Sequence, residues 1–139
     1  MDIEMTTPPG ELRLVITVPD HATALDFYRD TLGLRELAAF TDDNGGLATL
    51  LDAGRATVEI GDELHADAID ALEVGHRVAG HIRVAFAVED AAAATDRLVA
   101  GGAQLIAATT STPWGSVNSR LESPDGVQLT LFSGEHTEA

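Results

Sequence analysis

Apolar and polar residues alternate from Leu12 to Val18, with Leu14, Ile16 and Val18 on one side and Arg13, Val15 and Thr17 on the other. A period of two predicts a half-buried β-strand. Pro19-Asp20 breaks the alternation, after which Ala24, Tyr28 and Leu32 recur on one face up to Gly33. That spacing predicts a helix from about His21 to Leu32 with a glycine stop. Strand patterns follow over roughly Arg35–Thr41, Leu47–Asp52 and Ala56–Gly61, separated by Asn44-Gly45-Gly46 and Ala53-Gly54-Arg55, which predict antiparallel hairpins. The same order then returns. A strand over 81–88 leads into a helix over 90–100 with Ala91, Ala94 and Leu98 inward. Strands near Ala103–Thr110, Val117–Glu122 and Val127–Phe132 close the series, the last two joined by a Ser123-Pro124-Asp125-Gly126 turn.

The pattern predicts one α+β domain spanning residues 1–139, built from two β-α-β-β-β modules over about 11–62 and 81–133. A linker over 63–80 joins them, with a short helix at Ala66–Glu73 and a flexible joint at Gly75–Gly80. Residues 1–10 read as a loose arm and the last residues as a frayed tail. One strand face is uniformly apolar (Leu14, Ile16, Val18, Val84, Phe86, Leu131) and is expected to pack under helices on the outer side of a curved mixed sheet. The opposite face is charged, polar or small, and Ala85 and Ala87 in mid-strand suggest a hollow, so the sheet is expected to curl around a cleft.

Composition narrows the partners. The chain has 139 residues and a net charge of −15, from 23 acidic residues against eight arginines and no lysine. Such a surface repels phosphate backbones and anionic membranes, so neither nucleic acid nor membrane is an expected partner. Solubility, attraction of cationic ligands and a salt-adapted host all remain consistent with it. Without cysteine there is no disulfide framework or thiolate metal site. No apolar run reaches membrane-spanning length and the acidic start lacks signal-peptide character, so a cytoplasmic protein is expected.

Two motifs sharpen the picture. Val18-Pro19-Asp20 followed by Leu25-Asp26-Phe27-Tyr28-Arg29-Asp30-Thr31-Leu32-Gly33-Leu34, and later Pro113-Trp114-Gly115 with Ser123-Pro124-Asp125-Gly126-Val127-Gln128-Leu129, resemble the vicinal oxygen chelate superfamily of glyoxalases, extradiol dioxygenases and bleomycin-resistance proteins. The resemblance covers about residues 11–133 and implies paired modules around a cavity, usually in a homodimer. Its enzymes hold a divalent metal with His or Glu on the first and last strands of each module. Those positions carry Arg13, Glu59, Arg83 and Thr130 here. A guanidinium has no lone pair to donate, so no metal and no other cofactor is expected.

His81 shares a face with Arg83, but two residues along a strand is about 6.6 Å, too far to replace a ligand. His65 and His76 are expected at the surface or hinge, and His21 and His136 show no evident partner. Glu59 between Arg13 and Arg83 is expected to form a salt-bridged floor, or to leave one arginine donating to a ligand oxygen. Trp114 offers a stacking face near the rim and Phe40 an opposing wall, with Asn118 and Arg120 on the following strand. The candidate ligand-binding set is therefore Trp114, Phe40, Arg13, Glu59, Arg83, Thr130, His81 and Asn118. In character it is closest to the metal-free antibiotic-binding resistance proteins, with a planar aromatic or cationic natural product as ligand. A lyase, dioxygenase or isomerase with an altered metal site is the alternative, and a dimer with a vestigial pocket a third.

Overall fold

The computed structural model describes residues 8–134; the expected N-terminal arm up to residue 7, and the tail with His136, lie outside the described residues. Strand β1 (Glu11–Val18) leads through α1 (His21–Leu25) to β2 (Arg35–Thr41), β3 (Leu47–Asp52) and β4 (Ala56–Asp62). Helix α2 (Glu63–Glu73) then joins the first half to β5 (Ile82–Ala87), α3 (Ala91–Ala100), β6 (Gln104–Ser111), β7 (Ser116–Glu122) and β8 (Gln128–Gly134). The eight strands form one curved sheet in the order β2-β3-β4-β1-β5-β8-β7-β6. Each half is arranged alike about the β1–β5 seam: β1 runs parallel to β4, β5 parallel to β8, and β1 antiparallel to β5.

The two modules start their helices in the same way. The carboxylates of Asp20 and Asp90 accept the backbone N–H of Thr23 and Ala93, satisfying donors the first turn leaves free. The expected continuous helix over 21–32 is modified: the last part, Asp26–Thr31, widens to a π-helix, in which Leu32 N–H reaches back to the Phe27 carbonyl. Gly33 ends it at a φ of 94°, a left-handed conformation that glycine adopts without strain.

The apolar strand face packs as predicted under the outer helices. Ile16, Val18, Leu51 and Ile60 bury with Leu25 of α1, and Leu121 and Leu131 bury with Ala94 of α3. The third helix departs from expectation. Helix α2 starts three residues earlier than predicted, capped by the Asp62 carboxylate on the His65 N–H, and it lies across the concave face instead of the outer one. His65, Ala66, Ile69, Asp70 and Glu73, spaced for one side of a helix, are its buried residues. The segment after it is no flexible joint either. Both Val78 and Ala79 donate backbone N–H bonds to the Asp70 carboxylate, at 2.7 and 2.6 Å, and Arg77 pairs with Glu63 and Asp67. Among the described residues no helix is long and apolar enough to cross a membrane.

Candidate functional site

Helix α2 divides the expected single cleft into two compartments. Beneath it, on the sheet, lie Arg13, Glu59, Arg83, Asn118 and Thr130, all buried, around a chamber of only about 20 Å³ closed over by Ile69 and Glu73. That is room for about one water molecule. Outside it, Phe40 and Trp114 line an open groove of about 360 Å³ together with Thr41, Asp42, Pro113 and the edge of His65. A second groove of about 480 Å³ shares Asp42, Ile69 and Trp114 with the first and adds Asp43 and Asp67. His81 joins neither: it is exposed, and its Nδ1 donates to the Thr17 carbonyl at 2.8 Å.

The floor residues occupy one another. Arg13 donates to the Glu11 carboxylate and to Thr57, approaches Glu59 at 3.6 Å and lies 5.0 Å over the Phe132 ring. Glu59 meets Arg13 through Oε1 and His65 through Oε2, the latter at 3.2 Å. His65, expected at the surface, is 4% exposed and bridges two carboxylates, since its Nδ1 lies 2.6 Å from Asp42. Burial opposes the imidazolium charge, but the Glu59 hydrogen bond and charge, reinforced by Asp42, outweigh it and raise the pKa to about 9. Glu59 is held below its usual value: burial works against its charge, and the bond to His65 with the nearby cations works more strongly for it. A carboxylate so stabilised is a weak general base.

The predicted three-part floor is corrected at Arg83. It makes no ion pair within 4 Å among the described residues; its Nη1 donates to Thr130 Oγ1 at 2.6 Å, and its buried Nε has no hydrogen-bond partner there. Burial and the nearby Arg120 charge push its pKa below the ordinary value. The carboxylates near it are Glu73, Glu59 and Asp70. Glu59 is engaged by Arg13 and His65, and the two from α2 by Arg120, which is fully buried and reaches Asp70 and Glu73 at 2.8 Å each. Glu73 also accepts from Asn118 at 2.7 Å. These positions do not fit a divalent metal: two of the four are guanidinium groups, and the lone carboxylate has both oxygens committed to cations. Among the described residues no group of three or more His, Cys, Asp or Glu is arranged to hold a metal ion.

Sequence reasoning missed the part α2 plays. His65, Asp70 and Glu73 interrupt the apolar stripe that marks a buried helix face, so the segment reads as a solvated link. The available signal was the position of Arg120 on the cleft face: a buried arginine needs carboxylates, and Glu122, the carboxylate on the same face of that strand, lies exposed at its end. His21, which also lacked an evident partner, lies 2.9 Å from Thr49 Oγ1 through Nε2. Trp114 and Phe40 are brought together as expected, and the buried indole N–H of Trp114 has no acceptor among the described residues.

The model of the Glyoxalase/Bleomycin resistance protein/Dioxygenase superfamily matches residues 12–131. Among solved structures, the hypothetical protein BH1468 from Bacillus halodurans C-125 is similar at 20% identity and a TM-score of 0.67, covering 89% of this chain and 93% of its own. Methylmalonyl-CoA epimerase from Mycobacterium tuberculosis is similar at 20% identity and a TM-score of 0.65, with 96% and 92% covered. A mutant 4-hydroxymandelate synthase from Streptomyces coelicolor is similar at 21% identity and a TM-score of 0.66, with 92% of this chain against 39% of that one. At these identities the likeness is one of fold. Among curated protein sequences none matches this chain at a significant level.

Proposed function

Because this chain belongs to the glyoxalase/bleomycin resistance protein/dioxygenase superfamily and carries arginine at two positions where a metal ligand is expected, we propose that it is a metal-free small-molecule-binding protein. Its role is sequestration of a planar aromatic or cationic compound, in the manner of an antibiotic-binding self-resistance protein, acting as a cytoplasmic homodimer. Fold alone does not carry this, since one fold hosts many chemistries.

The observation that carries it is the pairing of a closed floor, with room for about one water molecule, with an open aromatic groove at Phe40 and Trp114. A groove of about 360 Å³ is of drug-binding size, whereas the floor has no room for a substrate while α2 is seated. Sequestration requires affinity and no turnover: nanomolar binding is about −12 kcal/mol, within reach of a planar ligand held against aromatic faces.

Trp114 is the only indole and so a clean reporter. Titration with a panel of planar antibiotics is expected to quench its fluorescence saturably, at one ligand per chain, with the ligand recovered unchanged. Absence of binding across the panel overturns the reading, and chemical conversion of a bound compound replaces it with an enzymatic one.

A further inference from the structure

We propose that the ligand sits outside helix α2, in the grooves flanking Trp114, and that it is an aromatic cation whose charge is met by Asp42 and Asp43. This rests on the binding function proposed above and adds the location and the charge class.

The location follows from space and from how α2 is fixed. The chamber under the helix holds about 20 Å³, and opening it requires breaking the buried pairs of Arg120 with Asp70 and Glu73. The other end of α2 is seated equally closely. A Cβ at Gly46 would fall 2.4 Å from the His65 backbone nitrogen, and one at Gly61 would fall 2.8 Å from the His65 ring. Close packing at both ends marks a fixed element. The grooves outside need no such rearrangement. They share Trp114, Ile69 and Asp42, so one flat ligand can lie along Trp114 with a carboxylate beside it.

The charge class follows from the groups behind the groove. Asp42 is held by His65, His65 by Glu59, Glu59 by Arg13, and Arg13 by Glu11. That string contains three carboxylates against two cations; with Arg83, Arg120, Asp70 and Glu73 behind it the buried cluster holds five carboxylates against four cations, so the imidazolium behind Asp42 is already matched. Exposed Asp43 adds a further negative charge, and Asp67 is paired with Arg77. A tryptophan face next to net negative charge favours a cation over a neutral or anionic ring system.

The test compares ethidium, a planar cation, with neutral phenanthridine, followed by dye fluorescence so that Trp114→Ala remains measurable. Ethidium is expected to bind saturably at one per chain and several-fold more tightly than phenanthridine. Trp114→Ala is expected to weaken it by about tenfold or more, and Asp43→Asn by about threefold. Ala85 and Ser116 line the chamber under α2. Ala85→Val fills that chamber and is expected to leave binding unchanged; Ser116→Val serves if that variant does not fold. Equal affinity for the two dyes, or binding lost in Ala85→Val yet intact in Trp114→Ala, overturns this inference while leaving a binding function standing. Failure of both dyes also overturns it, and the antibiotic panel then decides the broader reading separately.

Discussion

Replacing Arg120 with methionine probes the element that separates the two compartments. The guanidinium is 0% exposed and holds Asp70 and Glu73 of α2 at 2.8 Å each. Methionine fills a similar volume but leaves two buried carboxylates without the cation that pairs them, a change that costs about 3–5 kcal/mol when one partner of a buried pair is removed. Asp70 retains its bonds from Val78 and Ala79, so the larger share falls on Glu73, which keeps the single hydrogen bond from Asn118 among the described residues. For a domain of this size the loss lowers Tm by about 10–15 °C. Urea denaturation followed by Trp114 fluorescence gives the free energy, and hydrogen exchange shows whether the α2 amides lose protection. The triple variant Arg120→Met, Asp70→Asn, Glu73→Gln removes the stranded charges and is expected to recover at least half of the loss. A loss below about 1 kcal/mol for Arg120→Met, the range of a solvated pair, refutes the claim that α2 is clamped onto the sheet.

The His65 charge makes stability depend on pH. Its folded pKa of about 9 lies above the unfolded 6.5, so its contribution is fully present below about pH 6.5 and is lost as pH rises through about 9. The difference is worth about 3 kcal/mol. Thermal denaturation from pH 6 to 9.5 should show a falling Tm that His65→Gln flattens; a flat wild-type profile contradicts the Glu59–His65–Asp42 bridge. Gly46→Ala places a Cβ 2.4 Å from the His65 backbone nitrogen, where nothing flexible can yield, and should cost about 2–4 kcal/mol in the same urea assay. Gly80→Ala, with open space around it, should be close to neutral, and similar values for the two glycines argue against the tight seat of α2.

Much of the fold was legible because alternation and turn chemistry agreed in both halves. The strand limits at Arg35–Thr41 and Leu47–Asp52 were read to the residue, and the outer helices followed from Asp20, Gly33 and Asp90. Four of the floor positions were legible as well, since strand parity put Arg13, Glu59, Arg83 and Thr130 on one face. What was hidden is the inward placement of the helix between the modules, whose existence at Ala66–Glu73 the pattern does predict. Its inward side sets a histidine and two carboxylates beside Ala66 and Ile69, and the burial of those three depends on partners far away in sequence, so local hydropathy marks the face as exposed. With it went the true surroundings of Glu59, whose partner His65 sits on that helix, and the closing of the cleft. The pairing of Phe40 with Trp114 was anticipated, but their place outside a closed chamber was not.

The central question is whether Arg13, Glu59, Arg83 and Thr130 form a floor that takes no metal. The measurement is the metal content of protein purified from cells grown with added zinc, manganese, cobalt and nickel, read by elemental analysis alongside Tm before and after chelation. No stoichiometric metal and no change in Tm are expected. A metal retained at one per chain, lost in Glu59→Gln and stabilising the fold, overturns the metal-free reading.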